Sequence, residues 1–80
     1  MEKDHFKDRP VESTIHSCIH IGDDVLICEK KAQKYAREIG DLTYGTVIEK
    51  LSKHDHPRGV KVKIRTLNNQ ITVGRVVYIL

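Results

Sequence analysis

The residues from Val60 to Arg65 alternate strictly between apolar and cationic side chains. The apolar positions are Val60, Val62 and Ile64, and the cationic positions are Lys61, Lys63 and Arg65. Because successive side chains of a strand point to opposite faces, the pattern predicts a half-buried strand with cations along its outer face. Such groups neutralise phosphates, so the row favours binding of an anionic partner. The alternative is an ordinary solvated face of a small soluble domain.

Further basic residues are expected close to this row. Arg75 belongs to the following predicted strand and lies beside the row if the two strands pair in the matching register. A polar turn before the row and a separate loop carry the remaining cations. The candidate nucleic-acid-binding residues are Lys61, Lys63, Arg65, Arg75, Arg58, His56, Lys30, Lys31 and Lys34.

Aromatic side chains that can stack on nucleobases are scarce. The chain has three tyrosines, one phenylalanine and no tryptophan, and only Tyr35 and Tyr44 are candidates for stacking. Base reading of single strands depends on such stacking. We therefore expect contacts to a nucleic-acid backbone or to structured RNA rather than readout of bases.

Histidines and cysteines raise the question of a metal site. His54 and His56 can share an ion on an extended segment, and His16, Cys18 and His20 would share one face of a strand. Zinc takes three or four protein ligands, and no second cluster completes a closed site. Ordinary polar roles are the favoured interpretation, so no metal or cofactor is expected, and His56 is expected to form a hydrogen bond within its turn.

Catalytic motifs are not recognisable in this chain. The serines and cysteines form no nucleophile elbow or triad arrangement. Cys28 lies in an apolar run and is expected in the core. The five glycines are scattered singly rather than grouped in a phosphate-binding loop. We therefore expect a protein that is not an enzyme.

The length and charge distribution indicate one small basic domain. Eighty residues bound the chain to a single domain with a modest core. Residues 1–24 hold three basic against six acidic residues, whereas residues 25–80 hold eleven basic against five acidic. Residues 25–80 therefore carry a net charge of +6, and a basic domain favours polyanions.

Local patterns divide the chain into a tail and a β-rich domain. Residues 1–13 are polar and are expected to form a flexible tail, and residues 14–80 the folded domain. Residues 14–21 predict a short strand or an extended lead-in, and residues 30–38 predict one or two helical turns or a mobile basic loop. Further strands are expected over residues 25–28, 43–51, 60–65 and 71–80.

Glycine and asparagine positions predict where the strands bend and turn. Gly45 predicts a bulge or a sharp bend, and Gly74 a second bend. Gly59 is expected to adopt a positive φ, and the asparagines of residues 67–70 suit a hairpin turn. Short strands, bending glycines and little helix together favour an all-β fold, a small closed barrel of four to five strands.

Short phrases in the chain resemble known barrels. GDDV at residues 22–25, GTV at residues 45–47 and VKVKI at residues 60–64 look like the strand openings of SH3-like barrels of the KOW type, which occur in ribosomal proteins and transcription elongation factors. LTYGTV at residues 42–47, HPRGVKVKI at residues 56–64 and VGRV at residues 73–76 resemble, in this order, the YwbE family of short uncharacterised bacterial proteins.

The resemblance covers residues 21–80 and implies an SH3-like, KOW-type barrel without implying an activity. Residues 34–38 and the hairpin of residues 66–72 are longer than the family pattern, and Tyr44 stands where a basic residue is common. By analogy with KOW-type barrels, the expected partner is RNA or a ribonucleoprotein. The alternative is a protein-interaction adaptor that binds a peptide or an acidic protein surface.

The expected cellular setting follows from what the sequence lacks. No charged-then-apolar signal opens the chain, and no apolar run approaches the ~20 residues that span a bilayer. The two cysteines match no thioredoxin-type or zinc-ribbon spacing. We therefore expect a cytoplasmic monomer with reduced thiols and no membrane partner.

Overall fold

The computed structural model describes residues 10–32 and 39–80, which form a closed four-stranded antiparallel barrel. Each strand pairs with the next along the chain, and the last pairs with the first. The strands are β1 (Asp24–Glu29), β2 (Thr43–Lys50), β3 (Lys61–Arg65) and β4 (Ile71–Ile79). Short 3-10 turns cover Val11–Thr14, His16–Cys18, Lys30–Ala32 and Ile39–Asp41. The predicted small all-β barrel is confirmed.

Alternation along the strands builds the barrel core. Branched aliphatic side chains on the inner face are fully buried and form one cluster, which consists of Ile19, Val25, Ile27, Val47, Val60, Val62, Ile64 and Val76. Removing this apolar surface from water is the main stabilising contribution that so small a domain has. Val73 is only half-buried because it shares the outer face of β4 with Arg75.

A second buried cluster lies outside the barrel core, between strands β1 and β4 and the turn that follows β1. The register between β1 and β4 shifts once, between Leu26 and Ile27, and the consecutive residues Val76 and Val77 are both buried. Val76 packs in the barrel core, whereas Val77 packs with Cys28 and Ala32 beneath the turn Lys30–Ala32. Burial of Cys28 confirms the prediction for this residue.

Gly45 and Gly74 lie where neighbouring strands come very close. A Cβ at Gly45 would lie 2.5 Å from the Cδ1 atom of Ile64, and one at Gly74 would overlap the carbonyl group of Cys28. The irregularity of β2 lies between Val47 and Glu49 instead. Of the two alternatives predicted for Gly45, the bulge is therefore wrong, and the sharp bend stays a prediction. The absent side chain at Gly45 gives space to the adjacent strand.

The segment before β1 is folded differently from its prediction. The strand or extended lead-in expected over residues 14–21 is wrong, because backbone N–H groups here close i→i+3 hydrogen bonds. Ile15 donates to the carbonyl of Glu12 (3.2 Å) and Ile19 to that of His16 (3.3 Å). The alternation is lost as a consequence, since Ile19 is fully buried and Ile21 is 61% exposed.

The same segment is tied to the barrel from Ser13 onward. Ser13 is buried, and its carbonyl accepts a hydrogen bond from the N–H of Val60 (2.9 Å). The Thr14 carbonyl likewise accepts from the N–H of His56 (2.9 Å). Ser13, the last residue of the predicted tail, is thus hydrogen-bonded to the barrel. The tail residues 1–9 and the rest of the predicted helical segment, residues 33–38, lie outside the described residues.

The turns around β3 have the predicted backbone. Gly59 has a φ of 103°, and its N–H donates to the carbonyl of His56 at 2.9 Å. In the following hairpin Asn69 has a φ of 61°, and the N–H of Thr66 donates to the carbonyl of Gln70 at 2.8 Å. The positive φ values confirm the prediction for Gly59 and the use of an asparagine, Asn69, in the hairpin turn. Both ends of β3 are thereby fixed.

Candidate nucleic-acid interface

The cations of β3 lie along the outside of the barrel. Val62 and Ile64 are fully buried, so the alternate side chains of Lys61, Lys63 and Arg65 are directed outward. Arg65 is exposed, and the two lysines are half-buried between the neighbouring strands. The strand therefore displays three cationic groups two residues apart on a fixed backbone.

Arg75 lies directly opposite Lys61 on β4. Its Nη1 atom donates to the carbonyl of Gly59 (3.3 Å), which holds the guanidinium near the turn that precedes β3. Like charges opposite each other on a sheet repel, and a bound anion would relieve this repulsion. We name the outer surface formed by Lys61, Lys63, Arg65 and Arg75 the cationic face.

An acidic residue borders the cationic face at its β2 edge. Glu49 of β2 pairs with Lys63, and its Oε1 atom lies 3.3 Å from the Lys63 Nζ atom. The alternation along β3 could not reveal this neighbour, because it belongs to another strand. Ion pairs between solvent-exposed groups are worth about 0–1 kcal/mol, so an incoming phosphate can compete for Lys63 at little cost.

Arg65 lies between two uncharged neighbours. Its partner on β2 is Thr46 and its partner on β4 is Ile71. The Thr46 hydroxyl donates to the Oδ1 atom of Asp24 (3.0 Å), which places this carboxylate one strand further from Arg65. The hairpin end of the cationic face is therefore bordered by apolar and hydroxyl groups.

The turn before β3 holds two of the predicted site residues. His56 accepts a hydrogen bond at Nδ1 from the N–H of Arg58 (3.1 Å), which confirms the predicted turn hydrogen bond. Both side chains are half-buried. Because Arg75 reaches the carbonyl of Gly59 in this same turn, the structure brings the turn and the cationic face together.

The structure describes only part of the predicted group of loop lysines. Lys30 is exposed and follows Glu29, which pairs with Gly74, so the chain leaves the sheet beside β4. The backbone of Lys31 belongs to the same turn, Lys30–Ala32, which lies against β4. Lys34 lies outside the described residues. Lys30 thus lies next to β4, the strand that carries Arg75.

A polar cleft lies next to the 3-10 turns. It is lined by His16, Ser17, Lys53, His54 and Asp55, and the backbone N–H of His16 donates to the Oδ1 atom of Asp55 (2.8 Å). Within residues 10–32 and 39–80, no three His, Cys, Asp or Glu side chains are grouped so that they can hold a metal ion. The predicted row of His16, Cys18 and His20 on one strand face does not form, because His16–Cys18 is a 3-10 turn.

The sequence patterns did not identify some polar residues that form long-range contacts in the barrel. Lys50 extends from the end of β2, and its Nζ atom donates to the carbonyl of His16 (3.2 Å). The carboxylate of Glu29 accepts hydrogen bonds from the hydroxyls of Thr43 (2.6 Å) and Thr72. No short-range sequence pattern predicts these contacts, because each joins residues that are 14 to 43 positions apart in the chain.

Comparison with known proteins identifies a family but no characterised relative. A family model described as "Uncharacterized conserved protein (DUF2196)" matches residues 12–79. No curated protein and no solved structure matches the chain. Among the described residues, no helix has both the length and the apolar character to cross a membrane.

Proposed function

The chain belongs to this family of uncharacterised conserved proteins, and we propose from its own surface that it is a non-enzymatic RNA-binding module. Its ligand is RNA, alone or within a ribonucleoprotein. The cationic face contacts phosphates, and the buried side of the same strand keeps the cations in register.

The observation that carries this proposal is the arrangement of Lys61, Lys63, Arg65 and Arg75 on one face. Alternate residues of a strand are roughly 6.7 Å apart, a spacing comparable with that of adjacent phosphates along one nucleic-acid strand. Because β3 is hydrogen-bonded on both sides in a closed barrel, little backbone conformational entropy is lost on binding. Phosphate contacts of this kind give affinity with little sequence information.

Further support comes from the sequence resemblances. The phrases similar to KOW-type SH3-like barrels and to the YwbE family coincide with β1, β2, β3 and β4 of this barrel. KOW-type barrels occur in ribosomal proteins and transcription elongation factors, which favours RNA as the partner. We also propose that the protein is a cytoplasmic monomer; its free thiols, Cys18 and Cys28, suit the cytoplasmic location.

The proposal is tested by replacing Lys61, Lys63 and Arg65 together with Gln. A salt titration would compare the wild type and this variant against two unrelated RNAs. We expect weaker binding at low salt, a log–log salt slope smaller by roughly one per lost phosphate contact, and similar losses for both RNAs. The fold should persist, because these side chains are directed away from the core.

A charge-matched control separates local contacts from the overall charge. Replacing Lys3, Lys7 and Arg9 with Gln removes the same three charges from outside the described residues, and this variant should keep the wild-type slope. Absence of wild-type binding at low salt, or equal slopes for all three proteins, would exclude the proposal. Salt-insensitive co-purification with one protein after nuclease treatment would instead support the adaptor function.

A further inference from the structure

Large apolar side chains are exposed at the hairpin end of the cationic face. Tyr44 on β2 is 36% exposed, Ile71 on β4 is 50% exposed, and Leu67 in the hairpin is 84% exposed. Isolated exposed apolar residues are common on soluble proteins. Here, however, Tyr44 and Ile71 lie on the two strands that flank Arg65, so apolar and cationic groups are combined at one place.

The strand register fixes this combination. Arg65 pairs with Thr46, and Tyr44 lies two residues before Thr46 on the same face of β2. Tyr44 is thus a diagonal neighbour of Arg65, a relation that spans roughly 7–8 Å and lies within reach of aromatic and long side chains. On its other side Tyr44 pairs with Leu26 of β1, which gives the tyrosine an apolar support.

The chemistry of these groups matches a nucleotide better than a phosphate alone. A nucleobase has an apolar face that stacks on an aromatic ring or on a guanidinium plane. Tyr44 and Arg65 supply both, and Ile71 adds apolar surface on the opposite side of Arg65. Lys63 and Lys61 continue along the same strand and can hold the phosphates that follow.

We propose that Tyr44 and Arg65 form a stacking site for one unpaired nucleobase at the hairpin end of the cationic face. The inference rests on the proposed function and specifies its ligand as RNA with an unpaired nucleotide, in a single strand or a loop. It adds a base contact to the backbone contacts expected from the sequence. Such stacking tolerates every base, so it selects unpaired RNA without selecting a sequence.

The test compares two ligands that carry the same number of phosphates, a 12-nucleotide oligoadenylate and an abasic ribose-phosphate oligomer of equal length. We expect the wild type to bind the oligoadenylate at least roughly fivefold more tightly. Tyr44→Phe should keep this ratio, and Tyr44→Leu should bring it close to one. Because the chain has no tryptophan, tyrosine emission is a second readout and should fall only with oligoadenylate.

The outcomes distinguish this inference from the function on which it rests. Equal, salt-dependent binding of both oligomers would overturn the stacking site and leave the proposed function intact. A preference for oligoadenylate that survives in a folded Tyr44→Leu variant would also overturn it. Self-association weakened by Tyr44→Leu, without a preference for bases, would assign the patch to a second copy of the chain. Failure to bind either oligomer at low salt would remove the proposed function itself.

Discussion

Glu49 illustrates how a single residue changes the character of a surface. By simple alternation from the buried Val47, Glu49 would lie on the inner face of β2. The irregularity between Val47 and Glu49 places Glu49 opposite Lys63 instead, where it forms an ion pair. Removing this carboxylate therefore frees a cation for the ligand and costs little stability, because exposed ion pairs contribute about 0–1 kcal/mol.

Glu49→Gln should strengthen RNA binding at low salt by roughly two- to fivefold, since Lys63 gains freedom to contact a phosphate. The control is Glu12→Gln, which removes the same charge from a residue in the cleft beside Ile79. Affinities would be measured for both variants and the wild type at two salt concentrations. Equal affinity of the Glu49 and Glu12 variants would show that Lys63 does not contact the ligand.

Individual residues of the candidate site were predictable where a local rule applies. The outward direction of Lys61, Lys63 and Arg65 follows from a period of two, and the turn hydrogen bond of His56 follows from the residues after it. The position of Glu49 was not predictable, because a one-residue irregularity reverses every subsequent side chain.

At the level of elements, strands were predictable and the segment before β1 was not. Each strand carries alternating β-branched residues, a signal that depends only on neighbouring positions. In the segment before β1, Ile15, Ile19 and Ile21 also alternate, yet i→i+3 hydrogen bonds prevail. Of these three isoleucines, only Ile19 packs in the barrel core. A local sequence pattern does not indicate which residue the tertiary packing buries.

Ile19→Ala should destabilise the protein by about 2–5 kcal/mol, because it leaves a cavity in the barrel core. Ile21→Ala is the matched control, since the same truncation at an exposed residue should change the free energy of unfolding by less than about 0.5 kcal/mol. Denaturant unfolding of both variants would measure the difference. Similar stabilities would show that the segment before β1 is not part of the core.

For the whole molecule, closure of the barrel connects fold and proposed function. Closure removes exposed sheet edges and fixes β3 between two hydrogen-bonded neighbours. The uneven distribution of charge along the chain is enough to predict a basic folded part, and with it an anionic class of partner. The placement of Tyr44 and Ile71 around Arg65 was not predictable in this way, because it depends on which strands pair and in which register.

The most direct test of the central claim is a map of the RNA contact surface by ¹⁵N–¹H chemical shifts. At low salt, a short RNA should shift most strongly the amides of residues 61–65 and of Arg75, which carry the cationic face. Amides lining the polar cleft, such as those of His16 and Asp55, should change little. Shifts concentrated at that cleft, or no shifts at saturating RNA, would contradict the assignment of the cationic face as the RNA-binding surface.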